Sequence, residues 1–227
     1  MRDSSPSLYA YIFTSFCVII FYILKWEEFI TVVKPVIVPA IYYYYVQTTK
    51  RPINTWFTVA IWLFFIADMI EIVDAKAGIY WIMACSLMSY IIMFRFALLD
   101  KVKFNFSWKS IFITIAIIAF IAVLSAQVIG QTNTSNTIYF YFFAIYTITL
   151  LSMISYGMLR LFSDNDVASR LFLSMVGVMF LSDFLYASNK YVEYNMPHAI
   201  MSFLAQFTSY YFMVEYFNVR VRSKLKV

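Results

Sequence analysis

The chain has 227 residues, 63% hydrophobic and only 13% charged, with mean hydropathy +0.77 and formal net charge +5. Soluble domains carry about 25% charged residues, so this composition excludes a water-soluble domain and points to a single integral membrane domain over 1–227. One histidine excludes a histidine-rich metal site, and neither a glycine-rich phosphate loop nor a Gly-x-Ser-x-Gly elbow is present, so no metal or cofactor is expected.

A bilayer-spanning helix needs about 20 mostly apolar residues. The apolar runs predict eight spans, at 8–24, 30–48, 54–73, 79–99, 110–130, 138–161, 170–190 and 197–218, an all-α polytopic bundle. The first has a weak basic start at Arg2 and no small-x-small cleavage site, and reads as a retained helix rather than a signal peptide. Cys17 and Cys85 fall inside apolar runs and read as small core residues. The second span carries Lys34 near its outer end and closes on Tyr42–Tyr45, an interfacial aromatic belt or, alternatively, the wall of a lipid-chain tunnel. The third contains FFIADMIEIV (64–73), an apolar run with Asp68 and Glu71 in it. A charge at mid-span costs about 3 kcal/mol or more, so these two need a reason to be there. The fourth holds Tyr90, and the break after the fifth holds Asn133, head of an Asn-x-Ser sequon. The seventh includes FLSDFLYASNKY, with Ser182, Asp183, Asn189 and Lys190. His198 opens the eighth as an interfacial residue, and Glu215 lies further along it.

Basic residues orient the chain. The N-terminus, the second, fourth and sixth breaks and the C-terminal tail together hold thirteen of the 17 lysines and arginines. They include Lys50, Arg51, Arg95, Lys101, Lys103, Lys109, Arg160, Arg170, Arg220, Arg222, Lys224 and Lys226. The opposite side has only Lys25, Lys34, Lys76 and Lys190. The positive-inside rule then makes both termini cytoplasmic. The net positive charge marks a face attracted to anionic lipid rather than a nucleic-acid site. The expected location is a cell membrane, the inner one in a bacterial host.

FIAD (65–68) in the third span has a twin in FLSD (180–183) in the seventh, 115 residues on, close to half the chain. That spacing suggests two parallel four-helix repeats, 1–105 and 106–227, related by an axis along the membrane normal. Asp68 lies about 21 Å and Asp183 about 20 Å along their spans at 1.5 Å per residue, which puts both in the outer half with Lys34. Glu71 shares the face of Asp68. An isolated buried charge is expensive, so Lys34 is expected to pair with Asp68 or Asp183. A surplus carboxyl would remain. A register-fixing ion pair is the structural alternative.

These motifs resemble the YhhN-type lysoplasmalogenase family of polytopic membrane proteins. That family has Lys-Pro near the start of its second helix, Gly-Asp in the third and His-x-x-Tyr with a later Phe in the fourth. The seventh carries Phe-x-x-Ser-Asp followed by Asn-Lys-Phe, and the last a Ser/Thr-Tyr-Tyr-x-Ala-Gln string. Lys34-Pro35 matches, Asp68 matches with Ala67 for glycine, and Tyr90 and Phe94 fit with Leu87 in place of histidine. Ser182, Asp183, Ala187, Asn189 and Lys190 all match. In the last helix SYYFMVE puts Glu215 at the glutamine position, whereas MSFLAQ would retain it as Gln206.

The resemblance implies an eight-helix hydrolase that cleaves the vinyl ether of a lysoplasmalogen or related lysolipid into a fatty aldehyde and a glycerophospho-base. It further implies Asp68 and Asp183 as catalytic, with Lys34, Tyr90, Ser182, Asn189, Lys190 and Glu215 in supporting roles; Glu71 joins them through the face it shares with Asp68. The residue chemistry fits. An enol ether is cleaved by protonating its β-carbon, and water captures the resulting oxocarbenium ion. Glycosidases meet a similar cation with two carboxyl groups. The alternative is a non-enzymatic membrane subunit or small-solute transporter on the same fold, favoured by Ala67 and Leu87. A retinal protein with Lys190 as Schiff base is a third, disfavoured by eight spans and by the lysine's place at the end of the seventh.

Overall fold

A computed structural model of the chain describes residues 6–49, 52–74, 78–100, 104, 107–131 and 137–223. Among these residues it forms eight helices and no strand. They are α1 (Pro6–Ile23), α2 (Glu27–Thr48), α3 (Thr55–Asp74), α4 (Ile79–Leu98), α5 (Trp108–Gln131), α6 (Thr137–Ser163), α7 (Val167–Tyr191) and α8 (Met196–Ser223). Seven of them, α1 to α7, are long and apolar enough to cross a membrane, which makes this a multi-pass membrane protein. Arg2, Lys50, Arg51, Lys76, Lys101, Lys103, Asn133, Lys224 and Lys226 lie outside the described residues.

The eighth predicted span departs from the expectation. α8 is 28 residues long, but Gln206, Ser209, Tyr210, Tyr211, Glu215 and Asn218 hold its hydropathy below that of the other seven. Ser209, Tyr210, Met213, Glu215, Tyr216 and Asn218 are buried, so much of this polar surface meets protein rather than lipid.

The chain divides into two compact units, Met1–Met93 and Phe94–Val227, with the boundary inside α4. In the first, α1 turns back into α2 through a Schellman motif. Trp26 N donates to the Phe21 carbonyl and Lys25 N to that of Tyr22, with Lys25 at φ 58°. Glu27 and Glu28 then open α2, where carboxylates suit the positive end of the helix dipole. Ser7 Oγ donates to Gln47 Oε1 at 2.6 Å, so α1 and α2 run antiparallel. Asn54 caps α3 by accepting from Phe57 N at 3.0 Å, and its own N–H donates to Tyr45 Oη at 3.0 Å. Tyr44 and Tyr45 are buried, and the Tyr45 ring packs 4.6 Å from Phe57. Of the expected aromatic belt only Tyr43 is well exposed, at 57%. Gly78, just before α4, is needed as glycine: a Cβ there would overlap the Ile70 side chain. Ser89 Oγ ties α4 to the Ala60 carbonyl of α3 at 3.0 Å.

In the second unit, Asp166 caps α7 by accepting from Ser169 N at 2.6 Å. α7 and α8 are joined by a reciprocal pair. Ser182 Oγ donates to the Ser202 carbonyl at 3.1 Å, and Ser202 Oγ to the Ser182 carbonyl at 3.0 Å. Small residues at such a crossing let two membrane helices approach closely.

Candidate functional site

Lys34 lies eight positions along α2 and Asp68 fourteen along antiparallel α3, which brings both to the same end of the first unit. Pro35 and Pro39 follow Lys34 inside α2. Lacking N–H groups, they leave the carbonyls of residues 31 and 35 without their helical donors, beside the buried lysine. Lys34 is 4% exposed. Its Nζ donates to Glu71 Oε2 at 2.5 Å and stands 3.9 Å from Asp68 Oδ1. The expected Lys34–Asp68 pair is thus present at ion-pair distance, but Glu71, three residues on and on the same face, is the closer partner. Two carboxyls therefore surround one ammonium. Tyr90 is buried on α4, its ring 5.6 Å from Phe64.

Asp183 belongs to the second unit, seventeen positions along α7. Its Oδ2 accepts from Tyr146 Oη on α6 at 2.7 Å. Both line a cavity of about 60 Å³ between α5, α6 and α7, whose walls are otherwise mainly Ile121, Val128, Leu150, Phe180 and Phe184, with Ser125 and Thr147. The carboxylate thus faces an apolar chamber carrying a few polar groups.

The other matched residues do different work. The Ser182 hydroxyl is engaged in the α7–α8 clamp. Asn189 Oδ1 accepts from Asn195 N at 2.9 Å and shapes the turn between these helices. Lys190 is exposed, with Nζ 3.2 Å from Tyr186 Oη and over its ring, which suits a snorkelling side chain. Glu215 is buried in α8, whereas Gln206 is half-buried and donates to Tyr210 Oη at 3.1 Å. His198 is exposed, and Cys17 and Cys85 are free, half-buried thiols. Among the described residues no group of three or more His, Cys, Asp or Glu side chains could hold a metal ion.

A second ionic cluster was not foreseen. Asp100, just past the end of α4, receives Arg220 Nε on Oδ1 at 2.5 Å, and Arg160 Nη1 and Tyr216 Oη on Oδ2, each at 2.9 Å. Arg160 and Arg220 are 4% and 6% exposed. Both had been counted among the residues of the basic face, and both are interior. Arg220 also donates to the Phe96 carbonyl at 3.2 Å and Tyr156 to that of Ala97 at 2.8 Å, which satisfies acceptors left over at the end of α4. Arg160 Nε donates to Ser169 Oγ at 3.0 Å. The only hint in the sequence was an acid, Asp100, opening an otherwise basic break.

Fold and site together define a multi-pass membrane protein with buried ionisable clusters in each of two helical units. The chain matches no protein-family model, and neither a curated protein nor a solved structure shows significant similarity to it.

Proposed function

We propose that this chain is a membrane hydrolase, akin to the YhhN-type lysoplasmalogenases, that cleaves the vinyl ether of a lysoplasmalogen or related lysolipid. In this proposal α8 is an eighth span, both termini are cytoplasmic, the basic face meets anionic lipid, and the two halves are parallel repeats. The observation that carries the chemistry is the carboxyl excess at Lys34. With Asp68 and Glu71 both ionised around one ammonium the cluster bears a net negative charge, and one proton neutralises it. Glu71 holds the lysine more closely, so Asp68 is assigned the proton and the role of general acid. A hydroxyl donating to a carboxylate oxygen suits the ionised form, so Asp183, bonded by Tyr146, is assigned the anionic role.

Asp68 then protonates the β-carbon of the vinyl ether, and the ether oxygen shares the positive charge. Water adds to the α-carbon and loses a proton. The resulting hemiacetal collapses to a fatty aldehyde and the free hydroxyl of the glycerophospho-base.

The non-enzymatic reading is favoured by one set of observations: Ala67 and Leu87 depart from the family motif, and Ser182 and Asn189 are committed to bonds within the fold. Mass spectrometry separates the two. Purified protein is incubated with a lysoplasmalogen, an ester lysolipid and an alkyl-ether lysolipid. Aldehyde from the first alone supports the hydrolase; no turnover of any supports the subunit or transporter.

A further inference from the structure

We infer that the cavity between α5, α6 and α7 holds ordered water at Asp183, with Ser125, Thr147 and Tyr146 positioning it for the carboxylate to orient. The volume allows it: about 60 Å³ against roughly 10–15 Å³ needed for one water on the same measure. A buried water also needs two to four polar partners, and these four side chains, from three helices, line the chamber.

Ser125 is the most telling. Hydroxyls elsewhere in α5 and α6 fold back onto the carbonyl four residues earlier, as Thr114, Thr149 and Ser155 do. Ser125 is 9% exposed, yet its hydroxyl bonds no other described residue, and neither does that of Thr147. No fully enclosed side-chain polar atom among the described residues lacks a partner. The Ser125 oxygen is therefore not fully enclosed, and its residue lines the cavity. A hydroxyl facing an apolar chamber without a partner is costly, and a water bonded to it removes that cost. Asp183, accepting a hydrogen from such a water, turns the water's lone pair away from itself, toward an electrophile.

That the held water is the nucleophile rests on the hydrolase reading; that water is held does not. Two measurements on the purified full-length protein separate these. The first is the thermal midpoint of Ser125→Ala and Thr147→Val. Water-bonded hydroxyls predict midpoints lower by about 2–4 °C, the shift that follows from losing one such bond in a chain of this size. An unchanged or raised midpoint, the mark of a dry hydroxyl relieved, would overturn the hydration. The second is turnover of lysoplasmalogen. Thr147→Val and Tyr146→Phe should each lower kcat about tenfold, in line with the acid–base scale, and leave KM unchanged. Normal kcat beside an inactive Asp183→Asn would overturn the nucleophile's assignment to this water. If the wild type turns over no lysolipid, the hydrolase reading and that assignment fall together, and the midpoints still decide whether water is held.

Discussion

The Lys34 cluster of the first unit and the Asp100 cluster of the second are charge inverses, and they differ in what they can do. At Lys34 two carboxyls share one ammonium. At Asp100 two guanidiniums and a phenol converge on one carboxylate, and both of its oxygens are bonded. A carboxyl can shed its charge by taking a proton, whereas arginine does not deprotonate in proteins. The first cluster therefore has a carboxyl beyond the one its ammonium needs. The second has none to spare, and it is suited to fixing the end of α4 against α6 and α8. Burial alone does not mark a reactive site; an excess of the ionisable partner does.

That contrast can be broken by mutation, and the largest effect on stability belongs at Asp100. Asp100→Ala leaves two buried guanidiniums without their acceptor and should cost about 3–5 kcal/mol, measured by unfolding in mixed micelles. Lys34→Met should cost less, about 1–3 kcal/mol, the toll of an unsatisfied buried group, measured the same way; a loss as large as that of Asp100→Ala would contradict the comparison. Ser182→Ala removes one half of the α7–α8 clamp and should cost about 0.6 kcal/mol, the average for membrane hydrogen bonds. Lys25→Gly relieves a positive φ and should gain about 0.5 kcal/mol, the left-handed penalty offset by glycine's entropy.

Much of the fold was legible because apolar length is a direct physical requirement of a bilayer. The predicted span 54–73 became Thr55–Asp74, and 79–99 became Ile79–Leu98. α2 begins before its predicted span because Glu27 and Glu28, polar by composition, are favourable in a first turn. α8 was read as an ordinary span although its polar residues meet protein, which hydropathy cannot distinguish from water. Glu71 was legible as a neighbour of Asp68 through its i, i+3 spacing, but its precedence over Asp68 at Lys34 depends on side-chain reach. Asp100, Arg160 and Arg220 were not legible as a cluster. They are 60 and 120 residues apart, and counting basic residues by side treats all of them as surface. Tyr146 was one of 19 tyrosines, and only the packing of α6 on α7 sets it apart.

The most direct test of the carboxyl chemistry is the rate of aldehyde release from lysoplasmalogen by folded Asp68→Asn and Asp183→Asn. An amide keeps the shape but can neither deliver a proton nor offset a cation. Each single variant should lose about 10²–10⁴-fold in turnover. Near-normal rates in both single variants would contradict the account.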